Sequence, residues 1–157
     1  MQNIIRLAND FMLEHGVKEI PIKLDRLSEL CSEIGFHLFS YKQAADIINH
    51  LRLENHTDKT AFTVISDDVR IILYKDEISV ADKLFAIAHE IGHIALKHTY
   101  FGILERSEAD TVQEREADAF AYQLLAPLCV LKAKKCNCPN DIQRETLLDF
   151  TRAAKVY

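Results

Sequence analysis

The sequence predicts an α+β fold: a compact, mostly helical domain with a small antiparallel or mixed three-stranded sheet beside one apolar helix. Three observations carry that expectation. Apolar residues recur at the helical period over several separate stretches. Two β-branched and aromatic runs, Ala61 to Ile65 and Val69 to Tyr74, flank the turn-forming Ser66-Asp67-Asp68 and read as a hairpin. The second run leads almost directly into a helical pattern over residues 80 to 97.

The elements follow in order. Ile4, Leu7, Ala8 and Phe11 share one face of a first helix, over residues 2 to 15, which Gly16 ends. Pro21 breaks the chain. Leu24, Leu27, Leu30, Cys31 and Ile34 form a second stripe closed by Gly35. Phe36 to Phe39 is short, apolar and β-capable. Ser40 and Gln43 have the spacing of a capping box that opens a helix through Ile47, Ile48 and Leu51. Residues 54 to 59 are a polar loop, and the hairpin follows. Val80, Leu84, Ile87, Ala88, Ile91, Ala95 and Leu96 mark an amphipathic, partly buried helix with Ser79 and Asp82 at its start. Thr99 to Arg106 read as a loop. A long helix spans about Glu108 to Ala126, capped by Ser107 with Asp110 and ended or kinked at Pro127. Cys136 to Asn140 read as a turn, followed by a weak helical pattern through Ile142, Leu147, Phe150 and Ala154.

The 157 residues suit a single domain with a real core. A composition of 48% hydrophobic and 27% charged residues is that of an ordinary globular protein. The net charge of -5 argues against nucleic acid as a direct partner, because phosphate binding wants a basic patch. The N-terminus lacks a signal-peptide layout, and the apolar stretch from Ala119 to Leu131 is too short to span a bilayer, so a cytoplasmic location is expected. Cys31, Cys129, Cys136 and Cys138 are then expected to be reduced. Cys136 and Cys138, in a C-x-C arrangement, read as partly exposed thiols rather than a second metal site.

The chemistry lies in Ala88-His89-Glu90-Ile91-Gly92-His93, an instance of H-E-x-x-H. Residues four apart on a helix differ by about 400° of rotation and roughly 6 Å of rise. His89 and His93 therefore leave one face, a turn apart, and their imidazoles can converge on one ion. Glu90 sits beside that face, where it can hold a water and take its proton. Zinc suits two imidazoles plus a carboxylate with one position open. The pattern fixes only three residues, so a helix with two solvated histidines is the bland alternative; the apolar setting and a downstream carboxylate weigh against it.

The third ligand is sought on the helix at 108 to 126, which offers Glu108, Asp110, Glu114, Glu116 and Asp118. Glu114 and Asp118, four apart, share a face with Thr111, Ala121 and Tyr122, where small residues permit close approach. Glu114 can bind the metal while Asp118 accepts a hydrogen bond from a ligand histidine, which fixes the tautomer of the ring. Glu116 points about 200° away from Glu114 and is the poorer candidate. A developing oxyanion needs a further donor, and His98, Tyr100, Tyr74 and Tyr122 are all conceivable. His98 also reads as a capping or solvated histidine at its helix end. His15, His37, His50 and His56 have no partner pattern. A strand beside the H-E-x-x-H helix can pair with an extended peptide, although a plain sheet edge has the same sequence.

His89 to His98, HEIGHIALKH, followed by EREADAFAYQLLAP from Glu114 to Pro127, resembles the ImmA/IrrE family of zinc metallopeptidases. That family's second motif runs E-x-x-A-[ND]-x-F-A, then an apolar pair and a proline. Pro21 to Phe36 resembles the family's N-terminal helix-then-strand segment, and the likeness covers roughly residues 1 to 130. It implies a compact zincin-like domain with His89, His93 and Glu114 as zinc ligands, Glu90 as general base and Asp118 behind His89. It also implies, as partner, a helix-turn-helix repressor that is cut so that a mobile-element or stress promoter is derepressed. After Pro127 the likeness fades, which leaves residues 128–157 as a short divergent end of one domain spanning residues 1–157. Two other functions fit the same residues: a non-proteolytic metal-binding module that sequesters a repressor, and the toxin of a toxin-antitoxin pair. Glu90 and the open metal position favour catalysis.

Overall fold

The computed structural model describes residues 2–98, 102–104, 112–136, 140, 141 and 144. Helix α1 (Gln2–Glu14) buries Ile4, Ala8 and Met12, spaced one turn apart, while Leu7 stays exposed. Helix α2 (Leu24–Glu33) buries Leu27, Leu30 and Cys31. It ends where Gly35 takes φ 82°, which lets the Phe36 N–H reach the Cys31 carbonyl at 2.8 Å and turns the chain into β1 (His37–Ser40). The Ser40–Gln43 capping box forms in both directions. The Ser40 N–H donates to Gln43 Oε1 at 2.9 Å, and the Gln43 N–H donates to Ser40 Oγ at 3.3 Å. Residues 41–44 are nonetheless a turn, and helix α3 (Ala45–Leu51) begins only after it.

Strands β2 (Ala61–Ile65) and β3 (Arg70–Tyr74) form the expected antiparallel hairpin, and β1 pairs parallel with β3. The sheet has one strand more than the sequence predicts. Residues Gly102–Leu104, within the expected loop at 99–106, form β4 and pair antiparallel with β2, so the strand order is β1-β3-β2-β4. Three residues that begin with a glycine are too few to form a strand on their own. Their order comes from hydrogen bonds to an edge that β2 already offers.

The sheet is covered on both faces, which is why β2 and β3 read as nearly unbroken apolar runs. Phe62, Val64, Ile71 and Leu73 face outward onto Ala44, Ile48 and Leu53 around α3. Ile72 faces inward, into the main core shared with α1, α2, helix α4 (Val80–Ala95) and helix α5 (Val112–Leu125). Helix α6 (Leu128–Ala133) follows Pro127 and adds Leu131 to that core. The expected cap at Ser107 and Asp110, and the pattern from Ile142 to Ala154, lie outside the described residues.

Helix α4 departs from the amphipathic expectation. Every residue from Leu84 to His93 is buried. Four of them are Leu, Phe or Ile, and full burial of such a side chain contributes about 1.5–3 kcal/mol. Its N-terminus is capped as predicted: Ser79 Oγ accepts from the Asp82 N–H at 3.1 Å and donates to Asp82 Oδ2 at 2.7 Å. α5 is its most extensively packed neighbour. At Gly92 the two helices nearly touch. A Cβ there would lie 3.1 Å from the Ala117 carbonyl oxygen and 3.3 Å from Phe120 Cβ.

Candidate metal centre

The helical spacing of His89 and His93 does what it predicts. Their Nε2 atoms lie 3.0 Å apart, with both residues buried in the interface between α4 and α5. Because the backbones meet at Gly92, the first turn of α5 delivers Glu114 to the same point. Glu114 Oε2 is 3.4 Å from His89 Nε2, and Oε1 is 3.4 Å from His93 Nε2. One donor atom from each of the three residues lies within 4.8 Å of the others, a spacing at which they can ligate one cation. Among the described residues they are the one such cluster of histidine, cysteine and carboxylate groups.

The surrounding groups prepare these donors. Asp118, one turn beyond Glu114, takes the far side of the His89 ring, with Nδ1 and Oδ1 2.8 Å apart. An Nδ1–H donating there leaves the Nε2 lone pair turned toward Glu114 and His93. Burial pulls His89 toward the neutral form, but the hydrogen bonds with Asp118 and Glu114 outweigh it and raise its pKa to about 9. Burial pushes Glu114 up, and its hydrogen bonds with the two histidines more than offset that, holding it at about 2. Without a cation, then, Glu114 is an anion facing a protonated imidazole. A divalent ion would replace that proton.

Glu90 is buried but belongs to a different contact. Its Oε2 accepts a hydrogen bond from Thr63 Oγ1 on β2 at 2.5 Å. Burial raises its pKa, against the opposing effects of His89 and Thr63. A carboxylate brought closer to neutrality beside a metal site is a stronger base than a solvated one.

His98 corrects the expectation of a solvated helix end. Lys97 adopts φ 60°, and the His98 N–H bonds back to the His93 carbonyl at 2.8 Å. That turn folds the His98 ring under the helix, 5.4 Å from the His93 ring, where it is 8% exposed. His98 Nε2 lies 3.1 Å from Glu116 Oε2. Glu116 thus serves His98 and stands apart from the cluster, as its direction on the helix predicts. Burial and then the neighbouring His93 lower the pKa of His98. Tyr122 is buried against Phe85, with ring centroids 4.8 Å apart, and Tyr100 and Thr111 lie outside the described residues. Cys31 is a buried thiol pushed up to about 12 by desolvation, which makes it inert. Cys136 is half-buried, and Cys138, the other thiol of the expected pair, lies outside the described residues.

Sequence reasoning missed Thr63, Gly92 and the His98–Glu116 pair. Gly92 alone carried a readable signal, as a glycine inside a helical pattern that marks close approach.

One helix that presents two imidazoles to a carboxylate from a second helix, with a glutamate alongside, is the arrangement of an HExxH metallopeptidase. The chain belongs to the peptidase M78 family: the model of that family's IrrE N-terminal-like domain matches residues 31–155. This is the ImmA/IrrE family that the paired motifs resemble. The match begins within α2 and runs past Pro127, further toward the C-terminus than the motif likeness reached. No curated protein and no solved structure matches the chain.

Proposed function

We propose that the protein is a zinc-dependent peptidase that cleaves a helix-turn-helix transcriptional repressor, with His89, His93 and Glu114 as ligands, Glu90 as base and Asp118 orienting His89. The convergence of the three donor atoms beside a buried fourth carboxylate carries this reading. Two imidazoles and one carboxylate leave a tetrahedral ion one position short, the donor set of catalytic rather than structural zinc. When bound there, zinc supplies Lewis acidity toward a carbonyl and lowers the pKa of water.

The remaining steps fall to the chain. Asp118 keeps the proton of His89 on Nδ1, so the ring offers its other nitrogen. Glu90 takes a proton from the attacking water and returns it to the leaving amine. The burial of His89, Glu90, His93 and Glu114 strengthens each of these electrostatic contacts. The substrate class rests on the family resemblance, and a net charge of -5 agrees with action on a repressor rather than on DNA. No helix among the described residues is long and apolar enough to cross a membrane. We place the encounter with the repressor in the cytoplasm.

The test is incubation of the zinc-loaded protein with any helix-turn-helix repressor found encoded beside its gene, with and without chelator. Fragments that appear only with metal and only with Glu90 intact are the expected result. A stable complex without fragments would replace cleavage by sequestration, and growth arrest on expression that depends on Glu90 would indicate a toxin.

A further inference from the structure

We propose that Thr63 is a positioning residue for Glu90: its hydroxyl, fixed in the middle of the sheet, holds one carboxylate oxygen of the base and leaves the other for proton transfer. The inference rests on the peptidase reading of the site and adds to it a residue outside both motifs.

Thr63 is fully buried, on a strand with β3 on one side and β4 on the other. Its neighbours in sequence, Phe62 and Val64, face the outer core. The alternation of a strand therefore turns Thr63 inward, toward α4. Its register partner on β3 is Ile72, also fully buried, and a valine would suit the same position. A hydroxyl in such a place is costly unless it is bonded. Its bond is to Glu90, across 27 residues of sequence, at 2.5 Å, the short end of the range for a hydroxyl donating to an ionised carboxylate. Two features make it a fixed donor. Branching at Cβ stiffens the side chain, and strands on both sides hold the backbone. A glutamate has three side-chain torsions to restrain, and one oxygen of its carboxylate is held here by a donor on a strand paired on both sides.

The test needs no substrate. Zinc-loaded wild type, Thr63→Val, Thr63→Ala, Thr63→Ser and Glu90→Gln are each titrated with acetohydroxamate by calorimetry. A hydroxamate at zinc shares its proton with a carboxylate alongside, so its affinity reports where that carboxylate sits. Glu90→Gln, Thr63→Val and Thr63→Ala are expected to bind about tenfold more weakly, the size of one lost charge-assisted hydrogen bond. Thr63→Ser, which keeps the donor, should stay within about threefold of wild type, and zinc content should be the same in all five. With a cleavable substrate, the Val variant should lose kcat at unchanged KM and the Ser variant should recover it. Wild-type hydroxamate affinity in both Val and Ala variants, with Glu90→Gln impaired, overturns the role of Thr63 and leaves Glu90 in place. Equal weakening in Val, Ala and Ser also overturns it, because packing and not the hydroxyl would then be responsible. Wild-type affinity in Glu90→Gln removes the peptidase reading itself.

Discussion

The two nitrogens of the His89 ring are committed to two carboxylates of one helix: Nδ1 lies 2.8 Å from Asp118, and Nε2 lies 3.4 Å from Glu114. Because Glu114 and Asp118 are one turn apart on α5, a single helix both completes the cluster and orients its partner. Asp118→Ala is expected to keep the fold and to weaken metal affinity about 10–100-fold, the usual effect of removing such a support. Competition with a chromophoric chelator measures it, and unchanged affinity would show that the ring needs no anchor.

Glu90 and Glu114 should separate cleanly. Glu114→Ala is expected to lose the metal, read by mass spectrometry of the dialysed protein. Glu90→Gln is expected to retain it and to lose cleavage by about 10²–10⁴-fold, the usual range for a general base. A Glu114→Ala protein with full metal content would move the third ligand elsewhere.

The metal-free protein should have a defined pH window of greatest stability. The pKa of His89 is raised from 6.5 to about 9, so its contribution is complete below 6.5 and is lost as pH rises through about 9. That of Glu114 is lowered from 4.5 to about 2, so its contribution is complete above 4.5 and is lost as pH falls through about 2. The shared ion pair is thus fully present between 4.5 and 6.5. Thermal unfolding of chelator-treated protein across this range should show the plateau. Calorimetry of metal binding near pH 7 should show release of about one proton, as His89 gives up its charge. A melting temperature that climbs steadily from pH 6.5 to 9 would contradict the assignment.

Gly92→Ala should destabilise the protein. Alanine gains about 1 kcal/mol of helix propensity over glycine. Its Cβ, however, would press against the Ala117 carbonyl oxygen and Phe120 Cβ, and overpacking of that kind costs typically about 1–3 kcal/mol. The backbone of Ala117, three residues beyond Glu114 on the same helix, and Phe120 would have to give by a few tenths of an ångström to admit it. Chemical denaturation should show the loss, and metal affinity should fall with it.

The three clustered residues and Asp118 were legible because helix geometry is local. Four-residue spacing fixes a common face in α4 and again in α5, and the motif pairing matched one face to the other. Thr63 was not legible, because the contact between β2 and α4 joins residues far apart in sequence, and a threonine within AFTVI looks like any strand residue. The solvated alternative for His98 fails because a lysine, not a glycine, takes the left-handed position that turns it inward. β4 was missed because its order is borrowed from β2. The amphipathic expectation for α4 failed because α5 and the sheet bury faces that a helix on the surface would leave wet.

Strand β2 has a large aromatic ring on one face and a hydroxyl on the other, at adjacent positions. Sliding it past β3 by a single step would exchange them, set the phenyl group of Phe62 against the carboxylate of Glu90, and point Thr63 into the apolar layer under α3. On the roles proposed for Glu90 and Thr63, hydrolysis would depend on the phase of a sheet that supplies none of the three clustered residues. Lengthening the polar loop before Ala61 should be tolerated, whereas inserting or deleting one residue between Ala61 and Ile65 should silence the protein while its histidines remain in place.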